Sequence, residues 1–206
     1  MLNPSKTMKM KSIQAGLLML TAFCATSFPS GATTLTMDEL PFQPVNGLSF
    51  SGVTFHFSIG GNPSSDAYYN TGDGGNEQYV QDPALEGNSL GTLTLDFASP
   101  TSGLQLGVAR SISGPMTPGL QVSLFDGSLN SIGTFNLNTA VFVNFSEGLF
   151  NSNLTIGRAV LAFPDAADAP RFAIDNLTFT PVPEPSMIGL LGIGLLAFAV
   201  ALRGKP

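Results

Sequence analysis

In Val53-Thr54-Phe55-His56-Phe57-Ser58-Ile59 every second residue is apolar. A period of two puts one set of side chains on each face of an extended strand, which an α-helix cannot do. The pattern recurs in Leu93, Leu95 and Phe97, in Leu104, Leu106 and Val108, and in Leu120, Val122 and Leu124. It continues through Phe135 and Leu137, then Val141, Val143 and Phe145, then Leu154 and Ile156. Ala159–Phe163 reads as a strand buried on both faces, and Phe172, Ile174, Leu177 and Phe179 as a closing strand with a bulge or turn at Asp175-Asn176. Asp126-Gly127 is a hairpin signal. Turn residues recur roughly every 8–15 positions, no segment keeps a helical period, and no internal repeat is found. The expectation is an all-β domain, an antiparallel β-sandwich or barrel.

The core of such a domain must come from side chains without polar atoms. The chain has 16 Phe and no Trp among 206 residues, and Phe fills the space between sheets without needing a hydrogen-bond partner. Between Thr33 and Thr180 the only basic residues are Arg110, Arg158 and Arg171. Thirteen of the 14 acidic residues also lie there, so this stretch carries a formal charge of −10. That balance excludes nucleic acid as a partner, because phosphate binding needs clustered cations. One Cys and one His exclude a disulfide framework and a multi-His or Cys-based metal site.

Both ends differ from this body. Lys6, Lys9 and Lys11 precede an uncharged stretch, 12–32, with its apolar centre at 15–25 and the small residues Ser30 and Ala32 after it. This is the layout of a secretory signal peptide at 1–32, read by the Sec machinery and cut after Ala32, with Ala25 as the alternative. Cleavage would also remove Cys24, the only cysteine. At the other end, Met187–Leu202 is an uncharged apolar run followed by Arg203 and Lys205. As a helix it would be roughly 24 Å long, close to the hydrocarbon thickness of a bilayer. The positive end predicts a single transmembrane helix at 187–202 with its basic end in the cytoplasm and the body outside. Pro181-Val182-Pro183-Glu184-Pro185-Ser186 precedes it. Proline fixes φ and lacks an N–H, so this segment is extended and accessible.

Pro183, Glu184 and Pro185, then an apolar helix, then Arg203 near the terminus resemble the PEP-CTERM sorting signal of Gram-negative bacteria, here residues 181–206. The same kind of tail has also been labelled the C-terminal domain of ice-binding proteins. The resemblance implies a partner, exosortase, a membrane enzyme thought to act by transpeptidation. It also implies export and temporary anchoring in the inner membrane, with the cell envelope or the exterior as destination. The closing run 171–179 resembles the last strand of bacterial jelly-roll domains that often precede such tails, as does the opening Asp38-Glu39-Leu40-Pro41 with Gly47-Leu48-Ser49-Phe50. This makes the 33–180 body a jelly-roll-like β-sandwich. In carbohydrate-binding jelly rolls the first and last strands often hold a structural calcium, and carried over, Glu39 and Asp175 are its ligands.

Residues 60–88 read as a long polar insert with Asp66, Asp73, Glu77, Asp82 and Glu86 and no cation. It holds all three tyrosines, Tyr68, Tyr69 and Tyr79. Tyrosines beside carboxylates can stack on and hydrogen-bond a sugar, and the acids can hold calcium; the plain alternative is a mobile, solubilising acidic loop. Thr71–Asn76 resembles a calcium loop only loosely, lacking the EF-hand spacing. His56 alternates with Phe55 and Phe57, so it is expected on the surface of its strand, and no G-x-S-x-G or phosphate loop accompanies it. The sequence therefore points to an exported, non-enzymatic structural or adhesive protein of the envelope or extracellular polysaccharide matrix. A carbohydrate-binding module using the 60–88 insert is the alternative, and a glycan hydrolase the third reading.

Overall fold

A computed structural model describes residues 31–72 and 78–183. They contain strands and no helix. In chain order these are β1 (Thr33–Leu35), β2 (Gln43–Pro44), β3 (Ser49–Phe50), β4 (Val53–Ile59), β5 (Asn62–Pro63), β6 (Ala67–Thr71) and β7 (Ala84–Asn88). Then come β8 (Gly91–Arg110), β9 (Met116–Phe125), β10 (Ser131–Phe142), β11 (Phe145–Ser152), β12 (Ile156–Ala162) and β13 (Arg171–Pro181). The signal helix and the transmembrane helix expected at the ends lie outside the described residues.

The two apolar stretches around Leu93 and Leu104 form one strand, β8, of 20 residues. Its first half pairs with β4 on one side and β12 on the other, Phe55 and Ala159 both opposite Leu95. Its second half pairs with β13 and β11, Ile174 and Gly148 both opposite Val108. The change of neighbours falls at Pro100, Thr101 and Gly103, where Gly103 has φ of 64° and the buried Thr101 pairs with both Ile156 and Pro181. The strand β10 makes the same change at the far side: Ser131–Thr139 pair with β9, and Ala140–Phe142 with β11. All pairings are antiparallel, and the hydrogen-bonded network returns on itself like a barrel while presenting two facing layers. The described strands all belong to one compact unit, Ser30–Val182.

The period of two decides what lies between the layers. Phe57, Leu93, Leu161 and Val122 form one inward row, and Phe55, Leu95, Ala159 and Leu124 the next. They face Leu104, Leu106, Val108, Phe172, Ile174 and Phe179 in the same buried cluster. Arg110 also points inward and is fully buried. Its guanidinium donates to the carbonyls of Gly119 (2.6 Å), Pro164 (2.9 Å) and Ala169 (3.1 Å). It sits 5.6 Å from the centroid of Phe163, which stacks on Phe172. Burial pulls its pKa down to about 10, against the opposing charge of Asp165, so it remains a cation at neutral pH. It ties three chain segments at the end of the core.

Three local expectations are corrected. Residues 141–145 are a hairpin and not a strand: Phe142 pairs with Phe145, and Val143, with φ of 53°, turns the chain. Val141 and Val143 face solvent, Val143 being 67% exposed, while Phe145 packs against the buried Val80 cluster. Strand β12 alternates in burial along most of its length, because one face is covered by the core and the other is open. Residues 60–88 are not one loop: β5, β6 and β7 occupy much of it, and Ala67, Tyr69 and Thr71 are inward residues of β6. The Asp126 hairpin and the bulge at Asp175-Asn176 are present as expected.

Replacing Arg110 by Ala would take the guanidinium away from three carbonyls, those of Gly119 and Ala169 buried and that of Pro164 half-buried. We expect a loss of about 3 kcal/mol or more in folding stability from denaturant titration.

Candidate functional site

The second layer carries an outer face whose residues follow from register alone, since directly opposed residues in an antiparallel pair share a face. One row crosses five strands: Tyr68, Glu86, Ala173, Ala109 and Glu147. The next holds Asp175, Gly107 and Leu149. The small side chains in the middle leave room for another piece of chain, and 78–81 fills it. Val80 is buried on Ala84, Ala109 and Ala173. The Tyr79 amide donates to the Glu147 carboxylate (2.8 Å) and the Gln81 amide to Asp175 (3.1 Å). A Cβ at Gly107 would lie 2.0 Å from the Tyr79 carbonyl oxygen, so only glycine admits this strap.

Asp175 is 3% exposed and accepts hydrogen bonds from the amides of Gln81 and Asn176 and from the Asn176 side chain. Burial raises its pKa, the amides pull it down, and the charges of Glu39 and Asp38 add to the rise, bringing it to about 6. Glu39 accepts from the Thr36 amide, the Thr36 hydroxyl and the Tyr69 hydroxyl. Burial raises its pKa, but the bonds from Tyr69 and Thr36 outweigh it and hold the group below the ordinary range. Burial and the Glu39 carboxylate push the Tyr69 phenol far up. The two residues expected to hold calcium are thus electrostatic neighbours whose oxygens already accept hydrogen bonds. Among the described residues no group of three His, Cys, Asp or Glu is arranged around a common cation position.

The expected tyrosines divide. Tyr69 is a core residue with no exposed surface, edge-on to Phe55. Tyr79 belongs to the strap and lines a shallow cleft of about 310 Å³ with Gln78, Glu147, Leu149 and Phe142. Tyr68 lies on the outer face, parallel to Phe42 at 4.9 Å and 7°. Beside it, Arg171 donates to Glu86 (2.7 Å) and Asp66 (2.7 Å), while Asn88 donates to Asp66 (2.9 Å). Partial burial raises the Asp66 pKa, but the bonds from Arg171 and Asn88 overcome this and lower it. A small cavity of about 110 Å³ continues the face, lined by Glu86, Arg171, Ala109, Ala173 and Phe145. Asp73 and Glu77 lie outside the described residues. His56 is exposed on the other layer, 3.5 Å from Asp96, whose carboxylate binds Arg158 through two nitrogens (2.5 and 2.9 Å).

Two contributors were missed from the sequence. Phe42 lies in a loop with no periodic pattern. Arg171 carried the only available signal, being one of three cations in a strongly acidic body. Of the sorting residues, Pro183 is exposed, while Glu184, Pro185 and Arg203 lie outside the described residues. The body remains hydrogen-bonded up to that point: Pro181 pairs with Thr101, and the Val182 amide donates to the Pro100 carbonyl (2.7 Å).

Residues 181–205 match the PEP-CTERM protein-sorting motif. The chain carries this motif, which marks it for export. No curated protein shows significant sequence similarity to the chain. Among solved structures it is similar to a carbohydrate-binding module of family 29, with 12% identity over 74% of this chain and 90% of that one and a TM-score of 0.39. A mutant family 29 module complexed with cellulohexaose shares 10% identity over 74% of this chain and 92% of that one, also with a TM-score of 0.39.

Gly107→Ala is expected to lift the strap, destabilising the fold by about 1–3 kcal/mol and accelerating proteolysis within 72–83. Asp175 generates a pH dependence. Its folded pKa lies above its unfolded value, so the folded state binds the extra proton between about pH 4 and 6. Stability is therefore highest below about pH 4 with respect to this group and falls as pH rises through 6, by about 3 kcal/mol at most. Asp175→Asn should remove that component from stability measured between pH 4 and 8.

Proposed function

We propose that this chain is an exported, non-catalytic protein with a structural or adhesive role in the cell envelope or the polysaccharide matrix outside it. In this reading residues 1–32 direct export through Sec and are removed. Met187–Leu202 holds the protein temporarily in the inner membrane. A sorting enzyme of the exosortase type acts near Pro183-Glu184-Pro185, and the 33–180 body, a jelly-roll-like sandwich, is released or attached to an envelope component. The observation that carries the reading is the sorting motif at 181–205, which overlaps the last residue of β13. The folded domain and the processing signal therefore adjoin, and the product of processing is the intact β-body.

A hydrolase reading is weaker on the chemistry of the face. A glycosidase needs one carboxylic acid kept protonated beside an ionised partner. Asp175, whose pKa is raised, is buried under the 78–81 strap, and the accessible Asp66 shares the Arg171 guanidinium with Glu86, which favours the ionised form at Asp66. The reading does not depend on calcium at Glu39 and Asp175, each of which accepts three hydrogen bonds from the chain. A second reading, glycan binding through the 60–88 segment, is favoured by one observation: Tyr68 is held on the outer face in a flat stack with the exposed Phe42.

Intact mass of the protein recovered separately from the host's membranes and medium tests the main reading. The expected product starts near Thr33 and lacks Met187–Pro206. A single species that keeps its C-terminal apolar run in the membrane would contradict processing and leave a permanently anchored protein.

A further inference from the structure

Phe42 is 63% exposed although one of its faces lies against Tyr68. The other face is left to solvent, and the stack fixes its orientation. Register places polar groups beside it. Glu86 lies directly opposite Tyr68, Asp66 lies two residues before Tyr68 on the same face, and Arg171 lies two residues before Ala173, the partner of Glu86. Asp66 and Arg171 remain accessible, with side chains 43% and 35% exposed.

We infer that the Phe42–Tyr68 stack, together with Asp66, Glu86 and Arg171, binds a neutral hexopyranose chain. The inference rests on the glycan reading above and gives it a place and a ligand class. A pyranose presents a flat C–H face that packs on an aromatic ring and an edge of hydroxyls that both donate and accept. The ring supplies apolar contact at low entropic cost, since two χ angles fix it and the stack already restrains them. The carboxylates accept from hydroxyls. Arg171 has five N–H donors, and the bonds to Glu86 and Asp66 engage its Nε and Nη1. Because the three charges hold each other in place, the site needs little rearrangement to bind. The cavity lined by Glu86, Arg171, Ala109, Ala173 and Phe145 extends the same face beyond the stack.

Charge selects the class. Two carboxylates and one guanidinium leave the site at −1, within a body that has no lysine and a formal charge of −10. A polyuronate would be repelled by this field, whereas a neutral chain is not.

Affinity electrophoresis of the full-length protein in neutral detergent tests this, with hydroxyethylcellulose, galactomannan or alginate in the gel. The expected result is retardation by at least one neutral polymer and none by alginate. Phe42→Ala and Tyr68→Ala should each weaken retardation roughly tenfold, and Arg171→Gln should weaken it as well. Phe142→Ala, on the other cleft, should leave it unchanged. Phe42 is largely exposed, so its variant keeps the wild-type melting temperature and separates binding from folding. Absence of retardation by both neutral polymers would overturn the glycan reading and the site with it. Retardation that survives Phe42→Ala and Tyr68→Ala would overturn the site alone. Retardation by alginate only would overturn the neutral ligand class.

Discussion

The structure depends on one strand that serves both layers. Residues 91–97 of β8 hold β4 and β12, and residues 101–110 hold β13 and β11. Long-range pairing in a β-domain usually leaves two sheets joined only by side chains across the core. Here the long backbone of β8 carries ladders in both, as β10 does at the far side, so separating the layers breaks main-chain hydrogen bonds as well as apolar contacts. The corner at Pro100–Gly103 makes this possible, because Gly103 adopts a positive φ that other residues resist. The same corner receives the end of the body: Thr101 pairs with Pro181 and the Pro100 carbonyl accepts from Val182. The strand that unites the fold also fixes where the sorting motif begins.

From that frame the outer face of the second layer acquires its character. Gly107, Ala109 and Ala173 are too small to cover their strands, and the 78–81 strap covers them instead. Two buried carboxylates, Glu147 and Asp175, hold the strap by its amides. This is costly at Asp175, whose pKa near 6 records the work of keeping a charge beside Glu39 and Asp38 in a buried position. Further along the face, the scarce cations go where they neutralise acids in place: Arg171 between Asp66 and Glu86, and Arg158 on Asp96 in the other layer. Arg110, with no carboxylate among its hydrogen-bond partners, is used inside, on carbonyls.

The all-β class and most strands were legible because burial on one face imposes alternation, as in 53–59 and 120–124. The tail was legible because its features are local in sequence. What failed has physical causes. Val141, Val143 and Phe145 alternate in sequence, but the hairpin turns Val141 and Val143 to solvent and leaves Phe145 on the Val80 cluster. Tyr69 was read with Tyr68 as a surface residue, yet neighbours in a strand face opposite ways, and it lies in the core against Phe55. The polar composition of 60–88 concealed β6 and β7, whose outer residues face solvent and whose inner ones are few. The Phe42–Tyr68 stack joins residues 26 apart through the short β2–β6 pairing, and nothing in either local segment announces it.

Native-state hydrogen exchange of the full chain, read along β8 and β13, tests the central claim that one strand makes both layers a single cooperative body. The account predicts that amides of Leu93–Leu95, Leu104–Val108 and Ile174 exchange only by global unfolding, at one common free energy. Two separate free energies, one for each half of β8, would show that the layers open independently and would contradict it.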